Sequence, residues 1–196
     1  MQKRLLPFLS LLLVIWGCGE AGIQSDISKN VEIDPIDIEL SVPLLLVGQD
    51  IDETPPVSVS TGTIDISDND FSEYLDDATK FTINKITYSI INFPSGSRAD
   101  LDLNIDIAIA GGGSQDLLEI LVQDAQDNAD DVVLYQAGAG GNVSASAIQA
   151  LEQALLNSQT FEMDIEIVGR NVNLQEENVD FQIVFKFDVT TRLQLD

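Results

Sequence analysis

Residues 181–195 read FQIVFKFDVTTRLQL, and this stretch decides the fold class. Phe181, Ile183, Phe185, Phe187, Val189, Thr191, Leu193 and Leu195 occupy every second position without interruption. In an extended chain successive side chains point to opposite faces, so a period of two places this whole set on one side of a strand. At about 3.3 Å per residue the stretch spans about 50 Å, long enough to bend or to serve two sheets. The strict alternation assigns Phe181, Phe185 and Phe187 to a core rather than to an exposed ligand platform.

The same pattern recurs outward along the chain. Phe161, Met163, Ile165 and Ile167 alternate with Glu162, Asp164 and Glu166, and Leu101, Leu103, Ile105, Ile107 and Ile109 alternate with Asp100, Asp102, Asn104 and Asp106. Thr79 to Phe93 is a long strand whose apolar phase changes from Phe81 and Ile83 to Ile86, Tyr88 and Ile90. A second phase change falls at Pro35, where Val31 and Ile33 give way to Ile36, Ile38, Leu40 and Val42. A proline with a one-residue slip predicts an edge strand with a bulge. Residues 57–66, 117–122 and 132–136 supply shorter strands, separated by turns at Gly48 to Pro56, Pro94 to Ser97 and Gly111 to Ser114.

One helix is expected in the sandwich, over residues 144–157, with a short helical turn as a further reading of a stretch before it. Residues 144–157 carry Ala147, Ile148, Leu151, Ala154 and Leu155 on one face, with Ser144 or Ser146 as cap. Ser67 to Ala78 reads as a short helix with Phe71, Tyr74 and Leu75 on one side. Polar outer faces and the lack of regular strand–helix alternation exclude a parallel α/β fold. The expectation is a mainly β domain: an antiparallel β-sandwich of about eight strands, with helix 144–157 in a late connection. An outer-membrane barrel is the rival. It is set aside because girdle aromatics are too few.

The N-terminus reads differently. Lys3 and Arg4 precede a twelve-residue apolar run, Leu5 to Trp16, too short for a comfortable membrane span and suited to an export signal. Ile15-Trp16-Gly17-Cys18 resembles the lipobox of bacterial lipoproteins, with Trp16 standing where a small residue is usual. The resemblance covers about the first twenty residues. It implies cleavage after residue 17, acylation of Cys18, and, because Gly19 rather than aspartate follows, an outer-membrane address. The expected organisation is therefore a signal peptide at 1–17, a lipidated Cys18 with a flexible tether through residue 30, and an acidic sandwich at 31–196.

The chain holds 33 acidic and 9 basic residues, a formal charge of −24, and cleavage before Cys18 takes this to −26. Such a surface repels nucleic acid and anionic headgroups and attracts cations. Cys18 is the only cysteine, so no disulfide forms within the domain. Histidine is absent, which excludes Ser-His-Asp and Cys-His catalysis and histidine zinc sites. A two-carboxylate hydrolase remains chemically open, but the sole tryptophan, Trp16, leaves with the signal, and solvated strand faces account for the acids.

Calcium takes hard oxygen ligands. Its candidate ligands are Asp65, Asp68 and Asp70, within a cluster that also holds Asn69, Glu73, Asp76 and Asp77. Asp68-Asn69-Asp70 lacks the glycine and the terminal glutamate of an EF-hand loop, and acids at a helix start serve the dipole equally well. Asp124, Asp127, Asn128, Asp130 and Asp131 form a second cluster that also reads as a polar turn. Gly138 to Asn142 sits where a phosphate loop would, but Val143 breaks the dinucleotide fingerprint and no Lys-Ser/Thr follows. The functional expectation is a non-catalytic binding or scaffold module at the outer membrane, with envelope proteins or glycans as partners. A calcium-dependent adhesion or glycan-binding module and a lipid carrier are the alternatives.

Overall fold

The long C-terminal alternation becomes the central strand of one of two packed antiparallel sheets. The computed structural model describes residues 23–66, 72–109, 113–125, 129–139, 142–158 and 160–195. The strands are β1 (Ile23–Glu32), β2 (Ile36–Ser41), β3 (Ile51–Glu53), β4 (Val57–Ser60), β5 (Ile64–Asp65), β6 (Ala78–Ile91), β7 (Arg98–Ile109), β8 (Gly113–Val122), β9 (Val132–Gln136), β10 (Thr160–Asn173) and β11 (Asn178–Leu195). The helix α1 spans Ala145–Asn157 between β9 and β10.

The first sheet runs β1-β11-β6-β9, with β2 also on β11; the second runs β3-β10-β7-β8, with β4 and β5 also on β10. Every pairing is antiparallel. Each sheet thus has four strand positions, and one edge of each is assembled from short collinear pieces. That reconciles eleven segments with an expectation of about eight strands. The domain is a mainly β antiparallel sandwich, as expected from the alternation. β11 stays within one sheet, flanked along its length by β6 on one side and by β2 and β1 on the other.

Both phase changes in the sequence are bulges. Ile33 donates to the carbonyl of Phe185, and Ile36 pairs with Ile183, so three residues of the edge pass two of β11 around Pro35. On β6, Lys85 pairs with Asp188 and Ile83 with Val189, leaving Asn84 as the extra residue. Its amide donates to Asp188 (3.0 Å) and to Thr190 (2.8 Å), so the bulge is pinned by side chains of the neighbouring strand. An extra residue deepens the local twist, which suits strands of this length.

The inner faces supply the core. Phe181, Ile183, Phe185, Phe187, Ile83, Ile86 and Ile90 of the first sheet face Leu101, Leu103, Ile105, Ile107, Met163, Ile165 and Ile167 of the second, all buried. Phe161 and Phe187 meet edge to face with ring centroids 5.9 Å apart. Gly169 continues the inner alternation of β10, where a side chain would strike Val172 and Thr54. Thr54 uses the space to accept the Gly169 N–H at 3.0 Å and to donate its own N–H to the Gly169 carbonyl. Helix α1 closes one end with Ala147, Ile148, Leu151, Ala154 and Leu155 buried, and Ser144 is its cap, accepting from the Ala147 N–H.

Three sequence expectations require correction. Residues 23–30 are not a flexible tether; they form most of β1, in register with β11 from Ile23 opposite Leu195 to Glu32 opposite Lys186. The folded domain therefore includes residues 23–30. The strand expected over 57–66 is broken at Thr61 to Thr63 into β4 and β5. The helix expected from Ser67 to Ala78 is a 3-10 turn at Ser72–Asp77, with Ser67 and Phe71 outside the described residues.

Candidate functional site

The two segmented edges lie on the same side of the sandwich and are interrupted at the same height. In the first sheet the interruption is the Asp34–Pro35 bulge; in the second it is the gap between β4 and β5. Together they open a groove of about 480 Å³. Val31, Ile33, Ile36, Val59 and Ile64 give it apolar walls, and Asp34, Asp37, Asp65, Ser60, Thr61 and Thr63 line its polar parts. Thr61 is fixed by the Met163 N–H (2.9 Å) and Thr63 donates to Glu162 (2.7 Å). The groove presents hydrogen-bonding hydroxyls and negative charge. It suits a hydroxyl-rich or cationic ligand and disfavours an anion.

Of the calcium candidates, Asp65 is exposed on β5 at the rim of this groove, while Asp68 and Asp70, like Asn69, lie outside the described residues. Among the described residues no three metal-ligating groups converge. In the second acidic cluster Asp127 and Asn128 lie outside the described residues. The remaining acids act as fasteners. Asp124 N–H donates to Asp100 (3.0 Å), Asp131 N–H donates to the Ser89 hydroxyl (3.0 Å), and Lys186 donates to Asp131 (3.1 Å). Gly138 forms the turn leaving β9 with φ +80°, and Gly140 and Gly141 lie outside the described residues. Residues 1–17 and Cys18 also lie outside them.

A feature that sequence reading missed is a row of carboxylates across the outer face of the second sheet. Register places Asp164 of β10, Asp106 of β7 and Asp116 of β8 directly opposite one another, with Ser60 of β4 completing the row. The adjacent row is Ser58, Glu166, Asn104 and Glu119. Like charges directly opposite on neighbouring strands destabilise a sheet. Asp106 sits at the centre of this repulsion. Partial burial, a hydrogen bond with Asp116, and the charges of Asp116, Asp164 and Glu166 all push its carboxyl above the usual range. One of its oxygens, Oδ1, is buried with no partner.

The consequence for stability has a definite sign. A carboxyl with a raised pKa in the fold gains stability as pH falls through that value, and stops gaining below its ordinary value. Three other carboxyls act oppositely. Asn173 and Arg98 hold Asp50 low, Arg192 holds Asp26 low, and Asn171 with the Asp124 N–H holds Asp100 low. Their stabilisation is present at neutral pH and is lost as pH falls through those depressed values. The domain is therefore expected to be most stable at mildly acid pH. Asp106→Asn is expected to raise stability at pH 7 by about 1 kcal/mol, with the gain shrinking toward pH 4. Urea titrations of both proteins across this range check it; a constant difference refutes the assignment to Asp106.

No known protein-family profile matches the chain, and no curated protein matches it in sequence.

Proposed function

We propose that the chain is an exported lipoprotein, held at the outer membrane by acylated Cys18, whose sandwich serves as a non-catalytic binding or scaffold module. The observation that carries this reading is the position of the only cysteine: it ends a short apolar export signal in a lipobox-like context, just ahead of a folded domain. Four residues, 19–22, separate Cys18 from β1. Even fully extended, such a link spans no more than about 18 Å, so the anchor holds the Ile23 end of the sandwich close to the bilayer.

This placement puts the opposite end outermost. There the loop 42–50 presents Leu44 and Leu45, which are 70% and 85% exposed. The loop is tied down through the Gly48 N–H to Leu174 (2.7 Å), the Val42 N–H to Glu177 (2.9 Å) and the Gln49 side chain to Leu45 (2.7 Å). A hydroxyl- and carboxylate-lined side groove and a braced apolar tip suit recognition of envelope proteins or glycans. The absence of histidine and of a free thiol from the exported chain supports binding over catalysis.

Cys18→Ser is expected to move the protein from the membrane pellet to the soluble fraction and to abolish incorporation of labelled palmitate. A variant that still pellets with membrane overturns the anchor.

A further inference from the structure

Four of the seven basic residues after Cys18 stand together on the outer face of the first sheet. β11 turns Phe187, Val189 and Leu193 inward, so Lys186, Asp188 and Arg192 between them face outward. Register sets Asp26, Arg192 and Lys80 in one cross-strand row, Asn30, Asp188 and Lys85 in a second, and Glu32, Lys186 and Thr87 in a third. Arg192 is paired with Asp26, and Lys186 with Asp131 and Glu32. Lys80 and Lys85 have no ion-pair partner among the described residues.

The charge balance shifts in two directions away from this patch. Farther along the same face, Asp37 opposite Gln182 and Glu39 opposite Asp180 bring three acids and no base. Across the sandwich, the outer face of the second sheet carries the carboxylate rows, and Arg170 there is tied to Asp102 and Glu53. The patch also lies at the anchor's end of the domain. Ile23 pairs with Leu195, three residues from Arg192, and residues 19–22 alone separate β1 from Cys18.

We propose that this basic half of the first sheet's outer face rests on the anionic headgroups of the bilayer that holds the anchor, with the far tip and the carboxylate rows turned away. The inference rests on the acylation of Cys18. Anionic lipid repels the domain as a whole, but a four-residue link keeps it at the surface, and repulsion then selects the least acidic face. Exposed charges act over about 8 Å at physiological salt. With the patch turned inward, the unpaired Lys80 and Lys85 reach the headgroups. Stacked sheets pack about 10 Å apart, so the carboxylate rows of the opposite face then lie beyond that range.

The test uses the full-length acylated chain in vesicles of phosphatidylcholine mixed with phosphatidylglycerol. Acylation consumes the only native thiol, so Asn30→Cys and Ser114→Cys each offer a single site for a fluorophore. Both positions are exposed, on opposite outer faces. They share a height, because Phe161, beside Glu162 of the Ser114 row, meets Phe187, beside Asp188 of the Asn30 row. A nitroxide on the lipid headgroups is expected to quench the Asn30 label at least about threefold more than the Ser114 label. The difference is expected to vanish at about 1 M NaCl, where the screening length is about 3 Å. It is also expected to vanish in the double variant Lys80→Glu with Lys85→Gln. Glutamine rather than glutamate replaces Lys85 because Asp188 stands opposite it, and thermal melts report whether each variant folds. A chain that does not float with the vesicles overturns the anchor itself. A chain that floats with equal quenching at the two sites, or with a difference that survives salt or the double variant, overturns this placement and leaves the anchor standing.

Discussion

Phe187→Ala is expected to cost about 3–5 kcal/mol, the range for removing a large aromatic from a packed core. Phe187 is buried on the inner face of the central strand and meets Phe161 of the opposite sheet edge to face. The loss has two parts. The ring's buried area contributes about 1.5–3 kcal/mol by transfer alone, and the aromatic pair adds about 0.5–1.5. The remaining cost is the cavity, because β11 is hydrogen-bonded on both sides and has little freedom to collapse inward. A domain of this size is stable by about 5–15 kcal/mol, so the variant loses a large fraction of it. Phe187→Leu keeps most of the volume and is expected to cost much less. Urea unfolding with an unchanged m-value measures both; equal, small losses would show that the two sheets are not locked together at this point.

The legible part of the fold was the part whose side chains obey the pleat. β7, β10 and β11 each keep one apolar face over many positions, so fold class and core follow from spacing alone. The two phase slips were legible because apolar residues flank both of them: the slip at Asn84 separates Ile83 from Ile86, and the slip at Pro35 separates Ile33 from Ile36. Broken edges were less visible. Thr61, Gly62 and Thr63 interrupt the second sheet's edge, yet Val57, Val59 and Ile64 are spaced closely enough to pass for one strand.

The candidate surfaces were mostly illegible for a different reason. Asp106, Asp116 and Asp164 lie in three separate stretches, and only register brings them into one row. The groove between the segmented edges likewise depends on two breaks falling at the same height, which no local pattern encodes. Lipidation is the reverse case, argued from sequence at Cys18, outside the described residues.

Removing residues 23–30 while keeping 19–22 is expected to cost about 2–4 kcal/mol and to make the domain aggregate as its concentration rises. β1 evaded the sequence reading because its inward positions are Ser25, Ile27, Lys29 and Val31, opposite Leu193, Thr191, Val189 and Phe187. Only Ile27 and Val31 are apolar. An inward charge such as Lys29 is a known means of keeping an edge strand from recruiting further strands, so the feature that hides β1 from the pattern also protects the sheet. Its hold on β11 is largely polar and backbone in character. Arg192 grips both oxygens of Asp26 at 2.8 and 3.0 Å, and Ser28 bonds Thr190 at 2.7 Å. Ordering eight residues offsets much of that gain, which is why the expected loss of stability is moderate. The larger effect is on solubility: without β1, the edge of β11 from Asp188 to Leu195 stands open beside an apolar face. Light scattering and thermal melts of this deletion, against a deletion of residues 19–22 alone, separate a strand from a tether. A deletion of 23–30 as soluble and as stable as the parent would return these residues to the tether.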